Sequence, residues 1–248
     1  MRGLIIKDDK RYDYTESYLK GKGYMLCDED VPPKSLQFII FPFLSAIDCA
    51  VYDHAYFKEL HPGTVVFSGV RNEYLSEICE RNDLRYYPMA SAKSVQIKNA
   101  IPTSEGVIAH LITNRVDTIS GSRILVIGYG NCGSDLAKKL TWLGAHVSAL
   151  VRNKEKEDLA RADGVCPLYL DEILDKQNFD VVINTVPGRV LTDELVDALD
   201  SLIIDISSKP YGFDTEKATI LPGIPGKYAI RTAGHILGEY IETILRGK

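Results

Sequence analysis

Short apolar segments alternate with amphipathic segments along nearly the whole chain. In the first part, GLII, FIIFPF, TVVFSG and LRYYP have the length and composition of short buried strands. Between them, YTESYLKGKG and NEYLSEICERN show helical spacing, and Gly21 and Gly23 indicate where the first helix ends. This alternation predicts a small α/β lobe over residues 1–100.

The second part continues the alternation with six further strand-like segments. They are RILVIG, HVSAL, GVCPL, DVVIN, LIIDIS and ATILP. The first is apolar on both faces, as in a parallel strand that is covered by helices on both sides. The six segments predict a doubly wound, Rossmann-type parallel sheet over residues 101–231. Helices at 104–114 and 232–246 are expected to link the two lobes, the second helix by packing back on the first lobe.

A glycine pattern lies between the first of these strands and the predicted helix SDLAKKLTWLG. Gly128, Gly130 and Gly133 form G-x-G-x-x-G, and Asn131 and Cys132 lie inside it. The first glycine permits a tight bend, the second lets backbone approach a pyrophosphate, and the third lets helix and strand pack closely. In this context the pattern predicts a bound dinucleotide. The alternative is a structural glycine turn without a nucleotide.

The end of the second strand indicates which dinucleotide is bound. An NAD site usually carries Asp or Glu there to bind the ribose 2′-hydroxyl, whereas this chain has Arg152, Asn153 and Lys154. A guanidinium can bind a 2′-phosphate with paired hydrogen bonds, and a carboxylate would repel it. We therefore predict NADP rather than NAD. The alternative is that Arg152 is a solvated surface residue.

Two further loops follow strands at the sheet edge where doubly wound folds bind ligands. Asn184, Thr185 and Pro187 follow the fourth strand, and Asp205 and Ser207 follow the fifth. We expect the first three to line the nicotinamide side and the other two to offer further polar contacts. The alternative for each residue is ordinary turn chemistry, because these residue types end strands in many proteins.

Composition and charge exclude several function classes. The 248 residues carry a formal net charge of −5, and no Lys/Arg cluster indicates nucleic acid. The apolar run LQFIIFPFL is too short to span a bilayer. The five cysteines form no CxxC pair and are expected to be reduced thiols in a cytoplasmic protein. No cluster of His, Cys and Asp has metal-ligand spacing, so we predict no catalytic metal.

Several motifs occur together in the order and spacing of a known family. FSGVRNEYL, NAIPTSEG, ILVIGYGNCG, INTVPGRVL, IIDISSKPYGFD and PGIPGKYAIRTAG resemble the family of the A subunit of dipicolinate synthase over residues 64–245. The glycine pattern is shared by many enzymes, whereas the combination of IPTxEG, PGxPG and TAG is much more specific. The first sixty residues match chiefly through Asp9 to Arg11.

The resemblance implies an enzyme that oxidises dihydrodipicolinate to dipicolinate with NADP in the mother-cell cytoplasm of a spore-forming bacterium. It also implies a second, flavoprotein-like subunit as the partner. Whether the chain also forms a homo-oligomer is left open. The substrate is a dicarboxylate, so its site needs cationic or amide donors. Arg231, Arg11 and Arg71 are the candidates, with Ser104 and Glu105 on the linking helix. Glu105 is expected either to accept the ring proton or to stabilise its own helix N-terminus.

Two departures from the family pattern leave other functions open. The family usually has a glycine pair where this chain has Lys7 and Asp8, and Pro-Lys where it has Ile230 and Arg231. One alternative is an NADP-dependent dehydrogenase of another small substrate, and another is a nucleotide-binding regulatory subunit without turnover. A 2-hydroxyacid dehydrogenase normally needs a His–acid pair and a substrate-binding arginine, and no convincing pair is visible.

Overall fold

The chain divides into two compact units. The computed structural model describes residues 1–43, 47–115, 117–173, 178–214 and 216–247. One unit consists of Met1–Lys98 and Ala229–Lys248, and the other of Asn99–Tyr228. The sequence places the divisions at 100/101 and 231/232, whereas in the structure they fall at 98/99 and 228/229.

Helices and strands alternate along both units. In chain order they are β1 (Arg2–Ile5), α1 (Arg11–Gly21), β2 (Met25–Cys27), β3 (Phe38–Ile40), α2 (His54–Lys58), β4 (Val65–Ser68), α3 (Glu73–Arg81), β5 (Arg85–Pro88), α4 (Lys93–Asn114), β6 (Arg123–Ile127), α5 (Asn131–Trp142), β7 (His146–Leu150), α6 (Lys154–Ala162), β8 (Cys166–Leu168), β9 (Val181–Asn184), α7 (Asp193–Ala198), β10 (Leu202–Asp205), β11 (Thr219–Ile220), α8 (Ile224–Tyr228) and α9 (Ile230–Arg246).

Among the described residues, the first unit is built on a five-stranded parallel sheet with the order β2-β1-β3-β4-β5. Its central strands are buried on both faces. Phe38 and Ile40 of β3 join the apolar cluster that includes residues of α1 and α9, whereas Ile39 joins the cluster that includes residues of α2 and α3. β2 was not predicted, because a strand of three residues is too short to show an alternation of apolar and polar positions, and none of its residues is fully buried.

Two glycines of α9 face α1 and let the two helices approach closely. The Thr15 hydroxyl donates a hydrogen bond to the Gly234 carbonyl at 2.9 Å. A Cβ at Gly234 would lie 2.4 Å from the Arg11 carbonyl oxygen, and one at Gly238 would lie 2.7 Å from the ring of Tyr18. The C-terminal helix therefore belongs to the core of the first unit.

The second unit has the sheet order of a dinucleotide-binding domain. Within its described part, six parallel strands lie in the order β11-β10-β9-β6-β7-β8. Counted along the unit, this is the order 6-5-4-1-2-3 of a doubly wound sheet. Ile124 and Val126 of β6 pack on one face, and Leu125 and Ile127 pack on the other. The predicted fold class is confirmed.

The helix predicted at 104–114 begins earlier, at Lys93, and continues through Pro102. The predicted start was wrong because a proline usually marks the first turn of a helix rather than its interior. The Thr103 hydroxyl donates to the carbonyl four residues earlier at 2.7 Å, and Oγ of Ser104 lies 3.0 Å from the Ala100 carbonyl oxygen. Both side chains are thus engaged with the backbone of their own helix.

Gly234→Ala should destabilise the first unit by about 1–3 kcal/mol, because the added methyl group overpacks the contact between α9 and α1. Thermal unfolding followed by circular dichroism measures the change as a lower Tm. Gly21→Ala is the matched control, since no described atom lies within 4 Å of a Cβ at that position. Equal Tm values for the two variants would contradict the close packing of these helices.

Candidate dinucleotide-binding site

The turn between β6 and α5 bends sharply at Gly128. Its φ angle is +94°, in the left-handed region that favours glycine. Its N–H donates to the Leu150 carbonyl at 3.1 Å. A Cβ here would lie 2.4 Å from Cγ1 of Val186. Both the backbone angle and the neighbouring loop therefore require the first glycine of the pattern.

Gly130 leaves open space in front of α5. No side chain caps the helix at this residue, and no described atom lies within 4 Å of a Cβ built on it. The first N–H groups of a helix, here those of Asn131, Cys132 and Gly133, have no acceptor within the helix. Together with the helix dipole they form a site for an anion. A pyrophosphate suits this space, and a side chain at position 130 would take up part of it.

Gly133 lets the first turn of α5 lie directly against the end of β6. A Cβ at this position would lie 2.2 Å from the Gly128 carbonyl oxygen and 3.0 Å from Oγ1 of Thr185. The Thr185 hydroxyl donates to the Ile127 carbonyl at 2.8 Å. Thr185 therefore supports the glycine turn from the side of β9, and its hydroxyl is engaged within the protein.

Asn184 holds the loop that follows β9. Its side chain is 1% exposed. Its amide accepts a hydrogen bond from the Val186 N–H at 3.2 Å and donates one to the Val186 carbonyl at 2.9 Å. Pro187 is exposed on the same loop. Asn184 thus shapes the loop, and the contact of Pro187 with a nicotinamide stays a prediction.

Asp205 holds the loop that follows β10. It is fully buried, and its two oxygens accept hydrogen bonds from the N–H groups of Ser207 at 2.8 Å and Gly212 at 2.7 Å. A Cβ at Gly212 would lie 2.5 Å from the Asn184 amide nitrogen, so the loops after β9 and β10 pack together. The buried Oγ of Ser207 has no hydrogen-bond partner among the described residues. Ser207 therefore has a hydroxyl to offer, whereas Asp205 is engaged in the loop.

Arg152, Asn153 and Lys154, shortly after the end of β7, differ in their availability to a ligand. Asn153 caps α6, because its Oδ1 accepts a hydrogen bond from the backbone N–H three residues later at 3.0 Å. Lys154 pairs with Glu157 at 3.2 Å and with Asp158 at 3.1 Å. Arg152 is exposed and makes no hydrogen bond or ion pair with any residue that the structure describes. Of the three, Arg152 has the unpaired charge that a 2′-phosphate would need.

Cys132 is a protonated thiol packed at the start of α5. Burial raises its pKa above the ordinary value of a cysteine, and a hydrogen bond with Thr103 only partly opposes this effect. A nucleophilic cysteine needs a lowered pKa. The side chain therefore packs the turn, and the adjacent backbone N–H is the group that Cys132 offers to a phosphate.

Ser104 belongs to a cluster that ties α4 to α5. Its hydroxyl is fully buried, donates to the Asp135 carboxylate and accepts from Lys139 Nζ at 3.0 Å. Lys139 also lies 2.8 Å from Asp135. Asp135 and Lys139 were not among the predicted site residues, although their i, i+4 spacing on α5 is a recognisable signal of a helix ion pair. Ser104 is thus engaged in helix packing.

Glu105 is exposed in the interior of α4, and its carboxylate lies 3.5 Å from Lys139 Nζ. Because the helix begins at Lys93, Glu105 lies well beyond its first turn. The alternative that Glu105 stabilises its own helix N-terminus is therefore wrong, since the dipole effect falls off within one turn. Its role as a proton acceptor stays a prediction.

Arg11 is buried in the first unit at the start of α1. Its Nε lies 3.0 and 2.9 Å from the two carboxylate oxygens of Asp9, and a terminal nitrogen completes the ion pair. Its guanidinium carbon lies 4.4 Å from the ring centroid of Phe43. Arg11 is therefore already paired, and binding a substrate carboxylate would compete with Asp9.

The other two arginine candidates are exposed in the first unit. Arg231 lies near the start of α9, with its guanidinium carbon 5.7 Å from the ring centroid of Tyr14. Arg71 precedes α3, and its terminal nitrogen lies 3.3 Å from the Ser76 hydroxyl. Their assignment to substrate binding stays a prediction, with Arg231 more available for a ligand than Arg11.

Other kinds of site have weaker support in the part of the chain that the structure describes. No three His, Cys, Asp or Glu side chains there are placed to hold a metal ion. No helix there is long and apolar enough to cross a membrane. Two open cavities lie in the second unit near the start of β6. The cavity of 620 Å³ is lined in part by Arg123, the first residue of β6, and the cavity of 750 Å³ by Ser122, the residue before it. They are at the opposite end of this strand from the glycine turn.

Gly130→Ala should fold normally but bind a nicotinamide dinucleotide at least about tenfold more weakly, because the methyl group enters the space that suits the pyrophosphate. Gly133→Ala should instead lower the Tm, since its methyl group meets the Gly128 carbonyl. Nucleotide fluorescence titration measures the first effect, and thermal unfolding measures the second. Unchanged affinity in a well-folded Gly130→Ala variant would contradict the placement of the pyrophosphate.

Known proteins are similar to this chain in sequence and in fold. The family profile "D-isomer specific 2-hydroxyacid dehydrogenase, NAD binding domain" matches residues 92–200. The A subunit of dipicolinate synthase from Bacillus subtilis is 32% identical over 191 residues, which are 73% of this chain and 64% of that protein. The aligned part therefore spans less than two thirds of that relative. A ketol-acid reductoisomerase (NADP(+)) of Saccharolobus islandicus is 35% identical over 78 residues, or 31% of this chain and 23% of that protein.

A solved structure extends the similarity to nearly the whole chain. The crystal structure of dipicolinate synthase A from Bacillus subtilis matches with a TM-score of 0.88 and 25% identity, covering 99% of this chain and 95% of that protein. The NAD-binding profile indicates a nicotinamide dinucleotide as cofactor, in agreement with the glycine turn. In both sequence and fold, the chain is similar to dipicolinate synthase A.

Proposed function

We propose that this protein is the NADP-dependent dehydrogenase component that oxidises dihydrodipicolinate to dipicolinate. The observation that carries the proposal is the similarity to dipicolinate synthase A, which covers 99% of this chain in the solved structure. That relative is named as one subunit of an enzyme, and we include a flavoprotein-like second subunit in the proposal. The proposed setting is the mother-cell cytoplasm during sporulation.

The choice of NADP is supported by the charge at the end of β7. Arg152 has no carboxylate partner among the described residues, whereas the neighbouring Lys154 has two. A guanidinium there can bind a 2′-phosphate, which NAD lacks. One relative that matches 78 residues of this chain is itself named for NADP, the reductoisomerase of Saccharolobus islandicus.

The proposed reaction removes a hydride and a proton from the dihydropyridine ring and leaves an aromatic pyridine. NADP, when bound, supplies the hydride acceptor. The backbone N–H groups of Asn131 to Gly133 bind the pyrophosphate and thereby fix the position of the cofactor. Glu105, an exposed carboxylate, is the proposed acceptor of the ring proton, and Arg231 is a proposed partner of a substrate carboxylate.

A nucleotide-binding subunit without turnover is a second candidate function. The observation that favours it is the ion pair between Arg11 and Asp9. This pair engages one of the arginines that are expected to bind the substrate dicarboxylate. A dehydrogenase of another small acid is the remaining alternative, because the matching family profile is that of 2-hydroxyacid dehydrogenases. A direct assay separates these functions.

Purified protein should form dipicolinate when dihydrodipicolinate is generated in place in the presence of NADP. Product absorbance is followed with NADP or NAD, with and without the proposed flavoprotein subunit, and 2-hydroxyacids serve as comparison substrates. Faster product formation with NADP than with NAD is expected. If protein that binds NADP forms no dipicolinate in any combination, the proposed reaction is wrong.

Arg152→Asp should weaken NADP binding by on the order of 1–3 kcal/mol, through lost charge-assisted hydrogen bonds and added repulsion. NAD affinity should change little, because NAD has no 2′-phosphate, and this comparison is the internal control. Lys154→Met should have a smaller effect on NADP, since Lys154 is already paired. Calorimetric titration measures the affinities of both variants for NADP and that of Arg152→Asp for NAD. Equal NADP affinity in wild type and Arg152→Asp would contradict the cofactor assignment.

A further inference from the structure

The loop after β10 contains a buried hydroxyl that the protein itself does not satisfy. Ser207 is 6% exposed, and its Oγ is covered but has no hydrogen-bond partner in the described part of the chain. Native proteins leave few buried hydroxyls unpaired, because such a group loses its hydrogen bonds with water and gains nothing in exchange. The Oγ of Ser207 is therefore a hydrogen-bonding group that no described residue uses.

The backbone of this loop is fixed at three points. The N–H groups of Ser207 and Gly212 donate to the two oxygens of Asp205, at 2.8 and 2.7 Å. Between them, the Pro210 carbonyl accepts a hydrogen bond from the Gly188 N–H at 2.7 Å. A loop that is ordered by its own hydrogen bonds gives up little conformational entropy when a ligand binds.

Lys209 adds a positive charge to the same loop. Its side chain is exposed, with Nζ 6.0 Å from the ring centroid of Tyr211, and it forms no ion pair with any described residue. Lys217, which follows in the same connection between β10 and β11, is paired with Asp197. The loop thus contains an ammonium and a hydroxyl that no described residue engages, and each of these donors can bind an oxyanion.

The strand order locates this loop relative to the dinucleotide of the proposed function. The glycine turn follows β6, and Arg152 at the end of β7 is the proposed contact of the adenosine ribose. A dinucleotide that extends across the switch point of a doubly wound sheet therefore has its nicotinamide half towards β9 and β10. Ser207 and Lys209 follow β10 directly. Their loop is next to the half of the cofactor at which a substrate reacts.

We propose that Ser207 and Lys209 bind one carboxylate of the substrate, the hydroxyl as a neutral donor and the ammonium as the charge partner. This inference rests on the proposed function and adds two substrate-binding residues within the unit that holds the glycine turn. The nicotinamide carboxamide is a weaker match, because a neutral amide does not use the charge of Lys209. The ligand class is a small aromatic or dihydroaromatic carboxylic acid.

Binding of dipicolinate to the protein saturated with NADP tests the proposal. Calorimetry compares dipicolinate, which has two carboxylates, with pyridine-2-carboxylate, which has one. Lys209→Met should weaken dipicolinate binding at least tenfold. It should therefore also reduce the difference in affinity between dipicolinate and pyridine-2-carboxylate. The affinity for NADP should stay within twofold of wild type. Ser207→Ala should weaken dipicolinate three- to tenfold. Lys217→Met is the matched control, because it removes a paired lysine of the same connection, and it should bind both ligands as wild type does.

Three results would overturn the inference: unchanged dipicolinate affinity in Lys209→Met, a parallel loss of NADP affinity, or no binding of dipicolinate to the wild-type complex. The outcome is separable from that of the proposed function. Wild-type protein that binds dipicolinate through Lys209 but does not turn over would refute the reaction and keep the carboxylate site. Normal turnover, together with unchanged dipicolinate binding in Lys209→Met, would keep the proposed reaction and refute the carboxylate site.

Discussion

The close contact between the first turn of α5 and the end of β6 determines the geometry of the dinucleotide site. A Cβ at Gly133 would lie 2.2 Å from the Gly128 carbonyl oxygen, so only a glycine lets the helix start so near the strand. That contact brings the unpaired N–H groups of α5 to the edge of the sheet and leaves Gly130 facing open space. Thr185 fills the adjoining space from the side of β9. The proposed phosphate site is therefore formed by packing contacts within the second unit.

Ion pairing within the chain decides which candidate side chains remain available to ligands. Arg11 and Lys154 have the right charge for a substrate or a phosphate, but each already has a carboxylate partner. Arg152 and Lys209 have no such partner among the described residues. They follow strands on opposite sides of β6, at β7 and β10. This distribution supports a dinucleotide with its ribose phosphate at one end and an acidic substrate at the other.

The parts of the structure that could be predicted from the sequence depend on local patterns. The glycine turn, the six strands of the second unit and the end of α1 near Gly21 are each encoded within a few neighbouring residues. The early start of α4 was not predictable in this way, because a proline usually marks the first turn of a helix, whereas Pro102 lies in the interior of α4. The engagement of Ser104 also escaped prediction, because its partner Asp135 is 31 residues away and meets it only when two helices pack.

We expect the turn between β6 and α5 to bind the pyrophosphate of NADP, with Arg152 at the 2′-phosphate. A crystal structure of the complex with NADP tests it most directly. We expect the pyrophosphate against the N–H groups of Asn131 to Gly133, and the 2′-phosphate within hydrogen-bond distance of the Arg152 guanidinium. A pyrophosphate bound away from Gly130, or a 2′-phosphate that makes no contact with Arg152, would contradict the account.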